Sequence, residues 1–227
     1  MLPAERYTEM WNGAIKKFRD NTFELDPLID LETDTRRGMT LLIRPHPAVK
    51  RRIRMFLREL CAIDPSQYYY PASDMHVTVM SIISCYPGLA LERIQVGKYV
   101  TAIAACLAHI ARFGLVFHGI TASSSCVMVQ GFPGNLMLDK SRNALREYFQ
   151  RSPLPHSIDA RYSIRTAHVT VARFRQTVSQ AARFIEVLER YRDFDFGTYE
   201  VDSCELVFND WYQRARLTRH LHTFPLR

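Results

Sequence analysis

Two short segments of the chain carry the same pair of polar side chains. The sequence reads His-Val-Thr-Val at residues 76–79 and again at residues 168–171. Imidazole titrates close to neutral pH, so it can take up a proton in one step of a reaction and release one in another. A threonine hydroxyl can donate a hydrogen bond to an oxygen atom that gains negative charge. Two such pairs predict acid–base chemistry at an oxyanion, and a phosphodiester fits that requirement.

The valines indicate how each segment is held. β-Branched residues favour strands, and successive side chains of a strand point to opposite faces. The histidine and the threonine of each copy therefore share one face, and the valines are buried on the other. If the two strands face a common space, four side chains form one candidate catalytic set: His76, Thr78, His168 and Thr170.

With these two motifs the sequence resembles the 2H phosphoesterase superfamily, which is named for its paired His-x-Thr motifs. That group includes bacterial 2′-5′ RNA ligase-like proteins and cyclic phosphodiesterases. The second copy, followed by Ala172 and Arg173, is closest to the family's HxTxxR form, and the resemblance covers roughly residues 37–227. It implies an α+β fold of two pseudo-symmetric lobes, each an antiparallel sheet with outer helices, around a central cleft.

The resemblance also implies an activity. It implies metal-independent hydrolysis of 2′,3′-cyclic phosphate RNA ends, or of related cyclic or 2′-5′-linked nucleotides, with no cofactor. In the family the first histidine is usually the acid and the second the base, which are His76 and His168 here. The usual product is a 2′-phosphate, because the 3′ oxygen leaves. The residues alone leave the order of the two histidines open, and they do not separate the three substrate types.

Two arginines are candidates for binding the phosphate. Arg173 matches the arginine of the family's motif, but strict alternation places it on the same side as Val169 and Val171. It reaches the phosphate only if the strand bends, and it can otherwise form a structural ion pair. Arg165, just before the second motif, is a weaker candidate.

Three aromatic residues are candidates for stacking on a base, since rings beside nucleotide sites often do so. They are Tyr68, Tyr70 and Phe117. The alternative for each is a ring packed on a half-buried strand. His220 and His222 share a strand face by parity, but no third ligand clusters with them in the sequence, so no metal site is expected.

The composition indicates which binding partners and which cell compartment to expect. A net charge of +7 and a pI near 9.3 favour polyanions, so RNA or a small nucleotide is expected, although such an excess can also serve solubility alone. The five cysteines, at 61, 85, 106, 126 and 204, are scattered and odd in number, which argues against a disulfide framework. There is no signal-like or membrane-spanning apolar run. We therefore expect a cytoplasmic monomer that binds no membrane.

The order of elements places the motifs. A helix over residues 4–19 and an acidic loop over 24–34 form an N-terminal extension, residues 1–36, ahead of a single bilobal domain, residues 37–227. The strand 38–43 precedes a helix with a strongly basic exposed face, and further helices are predicted at 96–112, 134–151 and 178–192. Strands are predicted at 113–120 and 126–132, and two more lie between Phe196 and Leu226, joined near Asn209.

A second class of function competes with catalysis. The same scaffold can serve as a non-catalytic RNA- or nucleotide-binding module. Such a module needs the basic surface but not both imidazoles, so two complete His-x-Thr units favour the enzyme.

Overall fold

The computed structural model describes residues 3–161 and 163–227. Its helices are α1 (Pro3–Arg19), α2 (Pro47–Ile63), α3 (Val96–Leu107), α4 (Met137–Arg151) and α5 (Ala181–Arg190), with a 3₁₀ turn at Leu91–Arg93. Its strands are β1 (Arg36–Ile43), β2 (Tyr68–Tyr69), β3 (Val77–Pro87), β4 (Phe113–Ser123), β5 (Cys126–Pro133), β6 (Val169–Arg173), β7 (Asp195–Val201), β8 (Ser203–Asp210) and β9 (Arg219–Pro225).

The strands form two antiparallel sheets. One sheet has the order β3-β1-β8-β9, and the other has the order β2-β6-β5-β4-β7. The first motif leads into β3 of the four-stranded sheet, and the second leads into β6 of the five-stranded sheet. Each sheet therefore carries one His-x-Thr pair, as the pseudo-symmetric arrangement predicts.

The helices cover the outer faces of the sheets. Helices α1 and α2 pack on the five-stranded sheet, and α5 packs on these two helices. Helices α3 and α4 pack on the four-stranded sheet. Each helix buries one apolar stripe, as Val49, Ile53 and Phe56 do in α2. The α+β fold expected from the sequence, with two antiparallel sheets and outer helices, is thus confirmed.

Helix α1 shares the hydrophobic core with the sheets. Trp11, Ile15 and Phe18 belong to the same buried cluster as the valines of both motifs. The division of the chain into an extension and a bilobal domain at residues 36 and 37 stays a prediction.

The C-terminal region corrects one prediction. Three strands, not two, lie between Phe196 and Leu226. Only Asp202 separates β7 from β8, so the sequence gives little sign of a break. The break is real because the chain changes sheet there: β7 pairs with β4, whereas β8 pairs with β1.

Candidate active site

One cleft contains both motifs. The side chains of all four motif residues line it, and they come from both sheets: His76, Thr78, His168 and Thr170. The structure therefore brings together two imidazoles that are far apart in the sequence.

The ring of His76 is oriented by the main chain. Its Nδ1 lies 2.8 Å from the carbonyl oxygen of Asp74. A carbonyl only accepts hydrogen bonds, so Nδ1 carries the proton and Nε2 is left for a ligand. Asp74 is itself fixed, because its Oδ1 accepts from the backbone N–H of Ala215 at 3.0 Å.

The ring of His168 is oriented by a side chain instead. Its Nδ1 lies 2.8 Å from Oγ1 of Thr166, two residues earlier. A hydroxyl can donate or accept, so this contact serves the neutral and the charged imidazole alike. The two histidines thus have the same geometry at Nδ1 but chemically different partners.

Burial holds both imidazoles in the neutral form. It lowers the pKa of His76 to about 4, against the raising effect of the Asp74 carbonyl. It lowers the pKa of His168 to about 4 as well, with further lowering by the charges of Arg142 and Arg173. In the ligand-free cleft both rings are therefore uncharged at neutral pH.

The threonines leave their hydroxyls free. Thr78 and Thr170 line the cleft, and neither hydroxyl has a hydrogen-bond partner in the described part of the chain. Both are half-buried, whereas the valines beside them are fully buried. Each motif therefore offers one unoccupied donor next to its imidazole.

A bulge at the same place in both motifs changes the alternation. In β3, Leu42 of β1 faces Thr78 and Leu41 faces Met80, so Val79 is an extra residue. In β6, Met128 of β5 faces Thr170 and Val127 faces Ala172, so Val171 is the extra residue. A bulge moves the following side chains to the other face of the strand.

The bulge brings Arg173 into the cleft. Regular alternation would have placed it with the buried valines, but the extra residue Val171 turns it toward His168 and Thr170. In the first motif the equivalent position is Ser81, which also lines the cleft. The strand thus bends as the arginine prediction required, and Arg173 is the basic residue of the second motif that reaches the site.

Arg173 is held from behind by two groups. Its Nε donates to Tyr70 Oη at 2.9 Å, and its Nη1 lies 3.8 Å from Asp26 Oδ2. Asp26 belongs to the loop after α1, and it also accepts from Tyr212 Oη at 2.9 Å. The N-terminal segment therefore supports a cleft residue.

The candidate aromatic residues fall into different places. Tyr70 lines the cleft but is 3% exposed, and its hydroxyl holds Arg173. Tyr68 is half-buried, lies outside the cleft lining, and has the guanidinium of Arg175 5.3 Å from its ring centroid. Neither environment presents a free ring face to a base in the cleft.

Two candidates lie away from the cleft, and the structure corrects them. Phe117 is fully buried and stacks on Tyr199 with ring centroids 6.1 Å apart, so it cannot stack on a base. Arg165 is exposed and does not line the cleft, because the segment before the second motif turns its side chain outward.

Several cleft residues were not predicted from the sequence. Ser84, Ser157, Arg161, Asn209 and Trp211 line the cleft. The guanidinium of Arg161 lies 4.9 Å from the ring centroid of Trp211. Most of them come from loops and strand ends that meet only in the folded chain, so no local pattern marks them.

Residues 3–161 and 163–227 contain no group of three His, Cys, Asp or Glu side chains placed to hold a metal ion. Within the same residues, no helix has the length and apolar character needed to cross a membrane.

Comparisons with solved structures identify the fold. The chain is similar to TT0787 of Thermus thermophilus, with a TM-score of 0.59 and 14% identity over 84% of this chain and 98% of that one. It is similar to LigT of E. coli, solved with 3′-AMP, with a TM-score of 0.56 and 18% identity over 84% and 98% of the two chains. A protein described as a phosphoesterase gives a TM-score of 0.58 and 16% identity over the same shares.

The chain therefore has the fold of LigT and of that phosphoesterase over almost their whole length. The resemblance to the 2H phosphoesterase superfamily, noticed in the two motifs, is confirmed at the level of the fold. No protein-family model matches the chain, and no curated protein matches it by sequence.

Proposed function

We propose that the protein is a metal-independent phosphoesterase that hydrolyses 2′,3′-cyclic phosphate RNA ends or related cyclic or 2′-5′-linked nucleotides. The observation that carries the proposal is the pair of half-buried imidazoles in one cleft, each with its Nδ1 occupied and with a threonine hydroxyl beside it. LigT, which has the same fold, has been solved with 3′-AMP and with ATP, and this supports a nucleotide ligand.

The two imidazoles supply both proton transfers of the reaction. The Nε2 of one takes a proton from water as its oxygen attacks phosphorus, and the bond from phosphorus to one ribose oxygen breaks. The Nε2–H of the other gives its proton to that leaving oxygen. One phosphodiester bond is hydrolysed. The histidine that acts as the acid ends deprotonated, and the one that acts as the base ends protonated. A metal-bound water is not needed for either step.

The partners at Nδ1 favour a division of roles. The Asp74 carbonyl favours the charged form of His76, so His76 is proposed as the acid. His168 contacts a hydroxyl, which does not favour the charged form over the neutral one, so His168 is proposed as the base. This order agrees with the one that the family resemblance implies.

Charge on the phosphoryl oxygens is stabilised by the remaining cleft donors. Thr78, Thr170 and the guanidinium of Arg173 are the groups proposed for this. Because both imidazoles are neutral in the empty cleft, the acid must gain a proton when the anionic substrate binds. A bound phosphate raises the pKa of a nearby imidazole, so substrate binding itself favours this uptake.

The test replaces each histidine by alanine in the full chain and follows a panel of 2′,3′-cyclic and 2′-5′-linked nucleotides by phosphorus NMR. We expect His76→Ala and His168→Ala each to lower kcat by at least about 100-fold, the lower limit typical for a general acid or base. His118, which is exposed and outside the cleft, provides the control His118→Ala.

Three results distinguish the hypotheses. Turnover that both variants retain at the parent rate would show that the imidazoles are not the catalysts. Nucleotide binding without turnover by the parent would favour the non-catalytic binding module. Loss of turnover in EDTA, restored by a divalent metal, would contradict metal independence.

The cytoplasmic location and the monomeric state stay predictions from the sequence.

A further inference from the structure

The segment that leads into the second motif has no strand partner of its own. Residues 163–168 lie outside the strands, yet Ile164, Thr166 and Ala167 are buried. Buried main-chain groups must find hydrogen-bond partners. Here side chains supply them: Tyr7 Oη accepts from the N–H of Ala167 at 3.2 Å, and Arg146 Nη2 donates to the carbonyl of Ile164 at 3.1 Å.

Arg142 supplies the next bond and reaches the other motif as well. Its Nη2 donates to the carbonyl of Thr166 at 2.8 Å, and the same nitrogen donates to the carbonyl of Thr78 at 2.9 Å. Its Nε donates to the carbonyl of Val79 at 3.1 Å. One guanidinium thus bonds to a threonine of the first motif, to its bulge residue, and to the threonine that orients His168.

This placement is costly for an arginine. Arg142 is 2% exposed, and burial lowers its pKa to about 10. In the described part of the chain it forms no ion pair, and its hydrogen bonds go to main-chain carbonyls. A buried cation with neutral partners is unfavourable compared with a packed apolar side chain. The cost is offset only if the bonds hold something that apolar packing would not.

The bonds of Arg142 join the main chain of the first motif to the segment just before the second motif. A bulge leaves ladder groups of its strand unpaired, and Arg142 bonds to the carbonyl of the bulge residue Val79. Its planar guanidinium has several donors in a fixed geometry, so it can bond at once to carbonyls of β3 and of the segment before β6. Lysine has only a single nitrogen on a flexible stem and cannot hold the same set.

We infer that Arg142 is a positioning residue that fixes the two His-x-Thr motifs relative to each other across the cleft. The inference rests on the proposed function of that cleft. Arg142 does not line the cleft, so it acts through Thr78, and through Thr166 on His168.

The first arm of the test is kinetic and uses Arg142→Met and Arg142→Lys. A displacement of about 1 Å at reacting groups can lower a rate about 100-fold. We expect a loss of that order in kcat for Arg142→Met, with KM changed by less than about threefold, and an intermediate loss for Arg142→Lys. Arg146→Met is the control, since Arg146 lies one turn along α4 and holds the same segment but bonds to neither motif strand.

The second arm does not depend on turnover. The proton NMR signals of both imidazoles are followed against pH in the parent and in the variants. The charge of Arg142 lowers the pKa of His168. Arg142→Met should therefore raise the titration midpoint of His168, whereas Arg142→Lys, which keeps the charge, should leave it near its parent value.

The outcomes separate this inference from the proposed function. A parent that hydrolyses none of the nucleotides refutes the function, and the NMR arm then still decides the role of Arg142. Parent kcat in Arg142→Lys, or equal losses in the Arg142 and Arg146 variants, would overturn the inference. An unchanged titration midpoint of His168 in Arg142→Met would also overturn it. Should Arg142→Met fail to fold, Arg142→Lys and its kcat carry the test.

Discussion

Thr166 Oγ1 lies 2.8 Å from Nδ1 of His168, and it is the side-chain counterpart of the main-chain carbonyl that orients His76. The two imidazoles are thus held by partners of different kinds. A carbonyl cannot be removed by substitution, but a hydroxyl can. The orientation of His168 can therefore be tested separately from that of His76.

Thr166→Val should weaken catalysis without preventing substrate binding. Valine has nearly the same shape, but it leaves Nδ1 without its partner and lets the ring turn. We expect kcat to fall on the order of 10-fold with little change in KM, since partners that orient a catalytic or ligating histidine have effects of about 10–100-fold. Thr166→Ser, which keeps the hydroxyl, is the control and should stay near the parent. Steady-state kinetics that do not distinguish the two variants would refute this role of the hydroxyl.

Acid should destabilise the protein through the two half-buried imidazoles of the cleft. In the unfolded chain a histidine titrates near 6.5, whereas burial lowers the pKa of His76 and of His168 to about 4. Between these values the unfolded chain binds more protons, so the free energy of unfolding rises with pH. Each ring contributes on the order of 1–3 kcal/mol to the free energy of unfolding. This contribution is fully present above about pH 6.5 and is lost as the pH falls toward 4.

Urea unfolding at pH 7 and at pH 4.5 measures this effect. The His76→Gln/His168→Gln variant cannot titrate at these positions, so it should lose less stability than the parent over the same interval. The carboxyl groups titrate alike in both proteins and cancel in the comparison. Equal losses in the two proteins would mean that the imidazoles are not held neutral by the fold.

Local patterns predicted the elements of the fold well, because each rests on a repeat of apolar residues. The helices and the paired strands lie within a few residues of their expected positions, as α4 and β5 do. The tail was wrong because the change of sheet at Asp202 is a tertiary event. No residue there breaks the strand pattern of Asp195–Asp210.

The site was predictable where strand alternation is regular and not where it is broken. Alternation placed each histidine beside its threonine, but it put Arg173 on the wrong face because the bulge at Val171 has no sequence signal. Phe117 was wrong for a similar reason, since a strand residue does not reveal which of its two faces meets the cleft. Arg142 did carry a signal: it follows Leu138 by four residues and precedes Leu145 by three, so it falls on the apolar face of α4.

The basic face of α2 gives a way to separate RNA ends from small nucleotides as substrates. Arg51, Arg54 and Arg58 are exposed, share one side of the helix and form no ion pair in the described part of the chain. The helix has no acidic residue in its first turn, where the helix dipole already favours anions. Near that end, burial lowers the pKa of Lys50, and the charge of Arg44 lowers it further. Burial also lowers the pKa of the cleft residue His76, and the charge of Arg44 adds to that lowering.

Replacing these three arginines by glutamine should weaken action on RNA oligonucleotides that end in a 2′,3′-cyclic phosphate. A single strand contributes about 0.7 to the salt slope for each phosphate contact, so we expect the slope of log KM against log salt to fall by about 2. Turnover of a cyclic mononucleotide should not change, since the three side chains lie outside the cleft. The matched control replaces three exposed cations elsewhere, Lys98, Lys140 and Arg151. An equal effect of both triple variants would mean that α2 acts only through the net charge of the protein. An unchanged slope in the α2 variant would mean that RNA binds to another surface.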